Sequence, residues 1–126
     1  MNRNSNVLPS KWGFGTAPIA EELRPGYHFS RCGGFFDESG AFEDFGNFIA
    51  PADVPYGMRA LPPGTNLKPL STYEVIKPFP DVPSGPAAPY FGKLGLGKQH
   101  QLLLTIQDYL EQGFIRVIDR LISKKL

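Results

Sequence analysis

Proline and glycine interrupt this chain so often that no regular element can run far. Thirteen Pro and fourteen Gly fall among 126 residues, about one position in five. Proline removes a backbone donor and fixes φ, and glycine opens the backbone to turn conformations. A chain built this way folds as short elements joined by many fixed turns. The length suits one domain, and a chain of this size buries roughly two-thirds of its unfolded surface. Apolar residues make up 41%, with ten Phe and five Tyr, which is enough for one core and excludes global disorder.

The formal net charge is +1, so there is no electrostatic case for nucleic acid or a membrane surface as partner. Asp37, Glu38, Glu43 and Asp44 form an acidic run, and Arg116, Arg120, Lys124 and Lys125 make the end basic. Both read as solvated surface. Cys32 is alone, so no internal disulfide can form, which fits work in a reducing compartment. No long apolar run marks a transmembrane helix or a signal peptide. Export, on this reading, depends on something outside the segment.

Along the chain, residues 1–22 read as a poorly ordered or linker segment and 23–126 as the domain. "APIAEEL" (17–23) suggests a short helix stopped by Arg24-Pro25-Gly26. "YHFSRC" (27–32) alternates as a strand, and residues 33–47 form a loop or loose hairpin. "NFIAP" (47–51) is a short strand, "YGMRALPPG" (56–64) an extended piece, and "TYEVIKPF" (72–79) the best strand. "PDVPSGPAAP" (80–89) reads as a Pro-rich loop. In "QHQLLLTIQDYLEQG" (99–113), Ile106, Tyr109 and Leu110 recur at helical spacing before Gly113. "FIRVI" (114–118) reads as a strand that passes into a short basic helix. The fold class that results is α+β: short, mostly antiparallel strands with one amphipathic helix near the C-terminus covering a sheet.

One stretch, "FGKLGLGKQH" (91–100), nearly spells a phosphate loop of the form G-x-x-x-x-G-K-[ST]. It fails on two grounds. Gln99 stands where a hydroxyl must ligate Mg²⁺, and Pro89 denies the loop its preceding strand. Gly95 and Gly97 still allow a backbone to approach a ligand closely, and a helix starting at 99 would favour an anion there. His28 and His100 lack the spacing of a metal site. His28 and Cys32, four apart on a strand, would lie about 13 Å from each other, too far for direct proton transfer. No G-x-S-x-G or H-E-x-x-H motif occurs. Arg31 and Arg59 sit in turn-rich contexts. Converging on a glycine loop, they would form a diphosphate cradle.

The ordered string "LRPGYHFSRCGG", "GNFIAPADVPYGMRALPPG", "YEVIKPFP" and "AAPYFGKLGLGKQHQLLLTIQDYLEQGFIRVI" resembles the tuberculosis necrotizing toxin family, across about residues 23–118. "RALPPG" and the "FG…G.G.Q" loop are its most specific parts. The resemblance implies an NAD(P)⁺ glycohydrolase domain, a hydrolase toxin carried on a larger secreted protein. It places Gln99 at the centre of catalysis, Arg31 and Arg59 at the substrate and Gly95 and Gly97 in the loop. On this reading Arg59 is counted with Gln99 as catalytic, and aromatics such as Phe35, Phe48, Tyr90 or Phe91 flank nicotinamide or adenine. It requires no cofactor and no metal, since NAD⁺ or NADP⁺ is the substrate itself. Departures are Ser30 for an aspartate, Cys32 for an aromatic, Tyr90 for a tryptophan, Leu96 for a glycine and His100 for an aromatic.

Such chemistry explains the missing acid and base. The nicotinamide nitrogen of NAD⁺ is already cationic and leaves as a neutral molecule, while the ribosyl carbon becomes oxocarbenium-like. An ADP-ribosyltransferase, with Glu74 or Glu111 as its carboxylate, and a degenerate NAD-binding module are the alternatives. The same resemblance implies a monomer that acts in a target-cell cytoplasm and a cognate immunity protein in the producer.

Overall fold

The computed structural model describes residues 14–59, 65, 68–87 and 97–122. Nine strands, β1 Ile19–Leu23, β2 His28–Cys32, β3 Phe35–Phe36, β4 Phe42–Glu43, β5 Phe48–Pro51, β6 Leu70–Val75, β7 Phe79–Pro86, β8 Lys98–Gln101 and β9 Ile115–Leu121, follow one another among these residues. A 3₁₀ turn at Tyr56–Arg59 and helix α1 at Ile106–Glu111 complete them. Seven strands form one sheet in the order β9-β6-β2-β5-β8-β7-β1, with each neighbouring pair antiparallel. β3 and β4 pair separately as a hairpin over the acidic run.

Register divides the sheet into two faces. Phe29 lies opposite Tyr73 and Pro51, Ile49 opposite His100, and His100 opposite Ser84. Residues directly opposed across antiparallel strands share a face, and their sequence neighbours take the other. Phe29, Tyr73, Val75, Ile49, His100 and Ser84 therefore line one side. Ser30, Cys32, Phe48, Ala50 and Gln99 line the reverse. The first side carries the core, where Phe29, Ile49, Tyr73, Val75, Phe79 and Val82 meet Leu102, Ile106, Tyr109 and Ile115. Burial of each large side chain there contributes about 1.5–3 kcal/mol. Rings of Phe79, Tyr109 and Phe114 stack edge-to-face on one another.

The α+β expectation is corrected. Among the described residues the architecture is an antiparallel sheet with a single short helix of six residues. The helix expected over 99–113 starts only after Thr105, whose side chain forms a capping box with Asp108. Upstream, Lys98–Gln101 has period two instead of 3.6, because Gln99 and His100 are both buried against different faces. Leu102 is buried, whereas Leu103 is 89% exposed.

Three smaller expectations also change. Residues 17–23 form no helix, since Ile19–Leu23 is the edge strand β1 and pairs with β7. The Pro-rich stretch 80–89 is largely strand β7. Among the described residues β8 pairs with β7 only at Ser84–Pro86, so Phe79–Pro83 has a described strand neighbour on one flank only. Prolines, which cannot donate to a ladder, are tolerated in such half-paired strands. β9 continues as strand to Leu121 without turning into a helix. β2 and β5 fall where the alternation placed them. Residues 1–13, most of "RALPPG" and residues 88–96 lie outside the described residues.

Candidate active site

On the face away from the core, Ser30, Cys32, Phe48, Ala50 and Gln99 line a narrow pocket, and Arg59 reaches into it from the 3₁₀ turn. Strand alternation explains the first five. β2, β5 and β8 are neighbours in the sheet, and each offers its odd or even set to this side. Arg59 arrives by a different route. Pro51 closes β5, Val54 N–H donates to Pro51 O at 3.0 Å, and Met58 N–H donates to Pro55 O at 3.1 Å. These turns fold the chain back over the sheet face.

Arg59 is 9% exposed. Its Nη2 donates to Ser30 Oγ at 2.7 Å and its Nε to Val54 O at 2.9 Å, with a longer Nη1 contact to Ser30 O at 3.4 Å. None of these acceptors is charged. Among the described residues no carboxylate stands within ion-pair distance of the guanidinium. Burial depresses Arg59 below the ordinary arginine range, and the nearby Cys32 and Asp53 oppose that shift. The group remains a cation, held by neutral acceptors at a pocket wall, which is an arrangement that favours an anionic ligand.

Gln99 is 8% exposed and enters from β8, opposite Gly85. Two residues before it, Gly97 lies against the 3₁₀ turn. Its N–H donates to Met58 O at 2.9 Å, and an added Cβ would sit 2.8 Å from that oxygen and 2.6 Å from Val54 Cγ1. Gly97 thus fixes the separation between the segment that carries Gln99 and the turn that carries Arg59. Its close approach is to protein backbone. Gln99 lies inside strand β8, so the helix expected to start at 99 does not start there.

Arg31 borders the same pocket, yet its side chain leaves β2 on the opposite face from Ser30. Its Nε donates to both Asp44 oxygens, at 2.8 and 3.0 Å, and its Nη1 donates to Phe48 O at 3.1 Å. The Asp44 side chain is 2% exposed, and it also accepts from Gly46 N–H at 2.9 Å. The guanidinium fills the space where a Gly46 Cβ would be. The structure therefore brings Gln99, Arg59 and Phe48 to one pocket, and sets Arg31 beside it with its charge already paired. Phe48 is half-buried, and its ring packs against Phe14 at 6.0 Å between centroids. Gly95, Tyr90 and Phe91 lie outside the described residues.

Ser30, Cys32 and Ala50 were not singled out for the site by sequence. The signal was present, since the period-two alternation of 28–32 puts Ser30 and Cys32 on one face. What the sequence lacked was which face Arg59 would cover. His28 lies at the far end of β2 and is exposed, so it forms no dyad with Cys32. Among the described residues no cluster of three or more His, Cys, Asp or Glu is placed to hold a metal ion. No helix among them is long and apolar enough to cross a membrane.

The sequence pattern of the family described as Tuberculosis necrotizing toxin matches residues 22–118. The chain is also 33% identical over 84 residues to a protein named conidial surface nicotinamide adenine dinucleotide glycohydrolase nadA, from Aspergillus fumigatus. That match covers 60% of this chain and 35% of the relative, so the chain spans about a third of the relative's length. With the match running from β1 through most of β9, and with both Arg59 and Gln99 inside it, the chain belongs to the tuberculosis necrotizing toxin family.

Proposed function

We propose that this domain is a toxin that hydrolyses the nicotinamide–ribose bond of NAD⁺, and of NADP⁺, to nicotinamide and ADP-ribose or its phosphate. The observation that carries the proposal is the pocket itself: a buried Arg59 whose acceptors among the described residues are all neutral, beside Gln99, in a family member that resembles a named NAD glycohydrolase.

The chemistry asks little of acids and bases. Nicotinamide departs neutral, the ribosyl carbon gains positive character, and one water attacks it. Rate comes from fixing the dinucleotide and from dipoles aimed at the developing charge. Arg59 holds the diphosphate. The Gln99 amide bonds the ribose hydroxyls or the attacking water, with its carbonyl dipole toward the oxocarbenium carbon. Phe48 supplies an aromatic wall, and Tyr90, Phe91 and Gly95 complete the substrate side. Arg31, paired with Asp44, braces the strand and adds a partly screened positive field.

Glu74 and Glu111, the carboxylates a transferase would need, stand elsewhere. Glu74 pairs with Arg116 on the sheet edge, and Glu111 accepts from Gln107 on α1. Loss of NAD⁺, followed by chromatography of nicotinamide and ADP-ribose, tests the reading. Activity retained in Gln99→Ala would end the mechanism.

Emptying a cell of NAD⁺ also endangers the producer. The domain therefore acts in a target-cell cytoplasm after delivery by a larger carrier, and an immunity protein that plugs the pocket protects the producer. Producer cells that survive cytoplasmic expression of the active domain without any neutralising partner would count against that protector.

A further inference from the structure

The core-side face of β8 holds a buried polar chain that the proposed chemistry does not use. Tyr27 Oη lies 2.8 Å from His100 Nε2, and Ser84 Oγ lies 2.6 Å from His100 Nδ1. His100 and Ser84 are each 1% exposed, so the pair is closed to any substrate and is no hydrolytic dyad. The direction of the chain follows from counting protons. Ser84 spends its single O–H on Val82 O at 3.0 Å. Ser84 Oγ must then accept from Nδ1–H, which leaves Nε2 bare to accept from the Tyr27 O–H. The chain is complete only for a neutral imidazole in the Nδ1–H tautomer.

His100 follows Gln99 directly. Lys98 and His100 leave β8 toward the core side, where Glu21 holds Lys98 at 2.9 Å and the polar chain holds His100. Gln99 leaves toward the pocket. Pinning a strand by two side chains on one face fixes its rotation, and so fixes the direction of the residue between them. We propose that His100 is a positioning residue for Gln99: the Tyr27–His100–Ser84 chain sets the rotation of β8, and protonation of His100 undoes that setting. A proton on Nε2 would face the Tyr27 O–H head on, so the ring or the hydroxyl must turn. Burial holds His100 down to about 4, Lys98 pushes the same way, and Glu21 opposes. The titratable and charged groups that face the ring are these two, on β8 and β1, and Tyr27 before β2, whose own hydroxyl is held up to about 12 by burial and by Glu21 and Asp53.

The role of Gln99 here rests on the glycohydrolase reading, so the test has two readouts. In the first, NMR follows the His100 ring and the Gln99 side-chain amide of the wild type as pH falls. Both should shift with one midpoint, and the ring should report Nδ1–H at neutral pH. In Tyr27→Phe the neutral ring loses a donor, so the shared midpoint should rise toward the 6.5 of a free imidazole. Gln99 resonances that ignore the His100 titration, or a midpoint that stays or falls in Tyr27→Phe, overturn the proposal. The second readout is NAD⁺ hydrolysis by His100→Ala, which removes the ring and both of its hydrogen bonds, and where kcat should fall about 100-fold with KM unchanged. An unchanged kcat also overturns it. A wild type that shows the NMR coupling yet leaves NAD⁺ intact upholds the positioning role and removes the glycohydrolase reading instead.

Discussion

Arg59 donates to the Ser30 hydroxyl at 2.7 Å, and the two residues lock the 3₁₀ turn onto the site face of β2. The acceptor is neutral, so the turn is anchored without cancelling the charge. An aspartate in place of Ser30 would anchor the same turn and also neutralise it. This pairing leaves Arg59 a buried positive group whose described acceptors are all neutral.

Ser30→Asp should therefore raise KM for NAD⁺ while the domain stays folded. A carboxylate at that point competes with the substrate for the guanidinium. Arg59→Ala removes charged hydrogen bonds worth about 1.5–3 kcal/mol and should lower kcat/KM by roughly 10- to 100-fold. Ser30→Ala loses one bond only and should stay close to wild type in KM. Steady-state kinetics at fixed ionic strength separates the three. An unchanged kcat/KM in Arg59→Ala would mean that Arg59 does not meet the dinucleotide.

Gly97→Ala tests the spacing between the two site segments. The new Cβ would stand 2.8 Å from Met58 O, a backbone atom that cannot swing aside. Overpacking of this kind costs about 1–3 kcal/mol. The strain falls between Gln99 and Arg59, so activity should drop further than stability. Thermal melting and kcat/KM, measured on the same preparation, distinguish a bent site from a domain that is merely less stable.

How far the sequence could be read depends on which neighbour each segment finds. β2 and β5 were legible because His28–Cys32 and Phe48–Pro51 alternate and end in turn residues. β7 was not, because its prolines read as loop, and it is the flank toward β8, paired only at Ser84–Pro86 among the described residues, that shows why they are tolerated. β8 was lost to a helix because Ile106, Tyr109 and Leu110 have helical spacing, although the capping-box spacing of Thr105 and Asp108 marks a helix that begins only after Thr105. Gln99, Arg59 and Phe48 were named from motif and resemblance, and they do meet in one pocket. The Asp44 partner of Arg31 was hidden within an acidic run that looked solvated. Its burial depends on Gly46 and Gln107 closing around it, and Gln107 lies on an element distant in sequence.

That buried pair leads to a stability prediction. Asp44→Ala leaves the Arg31 guanidinium, 19% exposed, without its counter-charge and Gly46 N–H without its acceptor. Removing one partner of a buried pair costs about 3–5 kcal/mol, and the partial exposure of Arg31 puts this site at the low end. Arg31→Ala strands the more deeply buried Asp44, so it should be the more damaging of the two. Urea unfolding monitored by tryptophan-independent circular dichroism gives both values. Equal and negligible losses would show that the pair is dispensable.

Stability should also depend on pH in a window set by the polar chain. His100 titrates at about 4 in the folded domain and at 6.5 when free. Between these values the unfolded chain binds a proton that the native state does not, so stability rises with pH across the window. The contribution is fully present above about 6.5 and is lost as pH falls toward 4, amounting at most to about 3 kcal/mol. Tyr27 sets the opposite limb. Its hydroxyl is raised from 10 to about 12, so its contribution holds below 10 and fades as pH climbs through that interval. A plateau between the two limbs is expected in urea denaturation across pH. His100→Phe should flatten the acid limb selectively, since it removes the group that the unfolded chain protonates. An acid limb that survives unaltered in that variant would assign the loss to the carboxylates and not to His100.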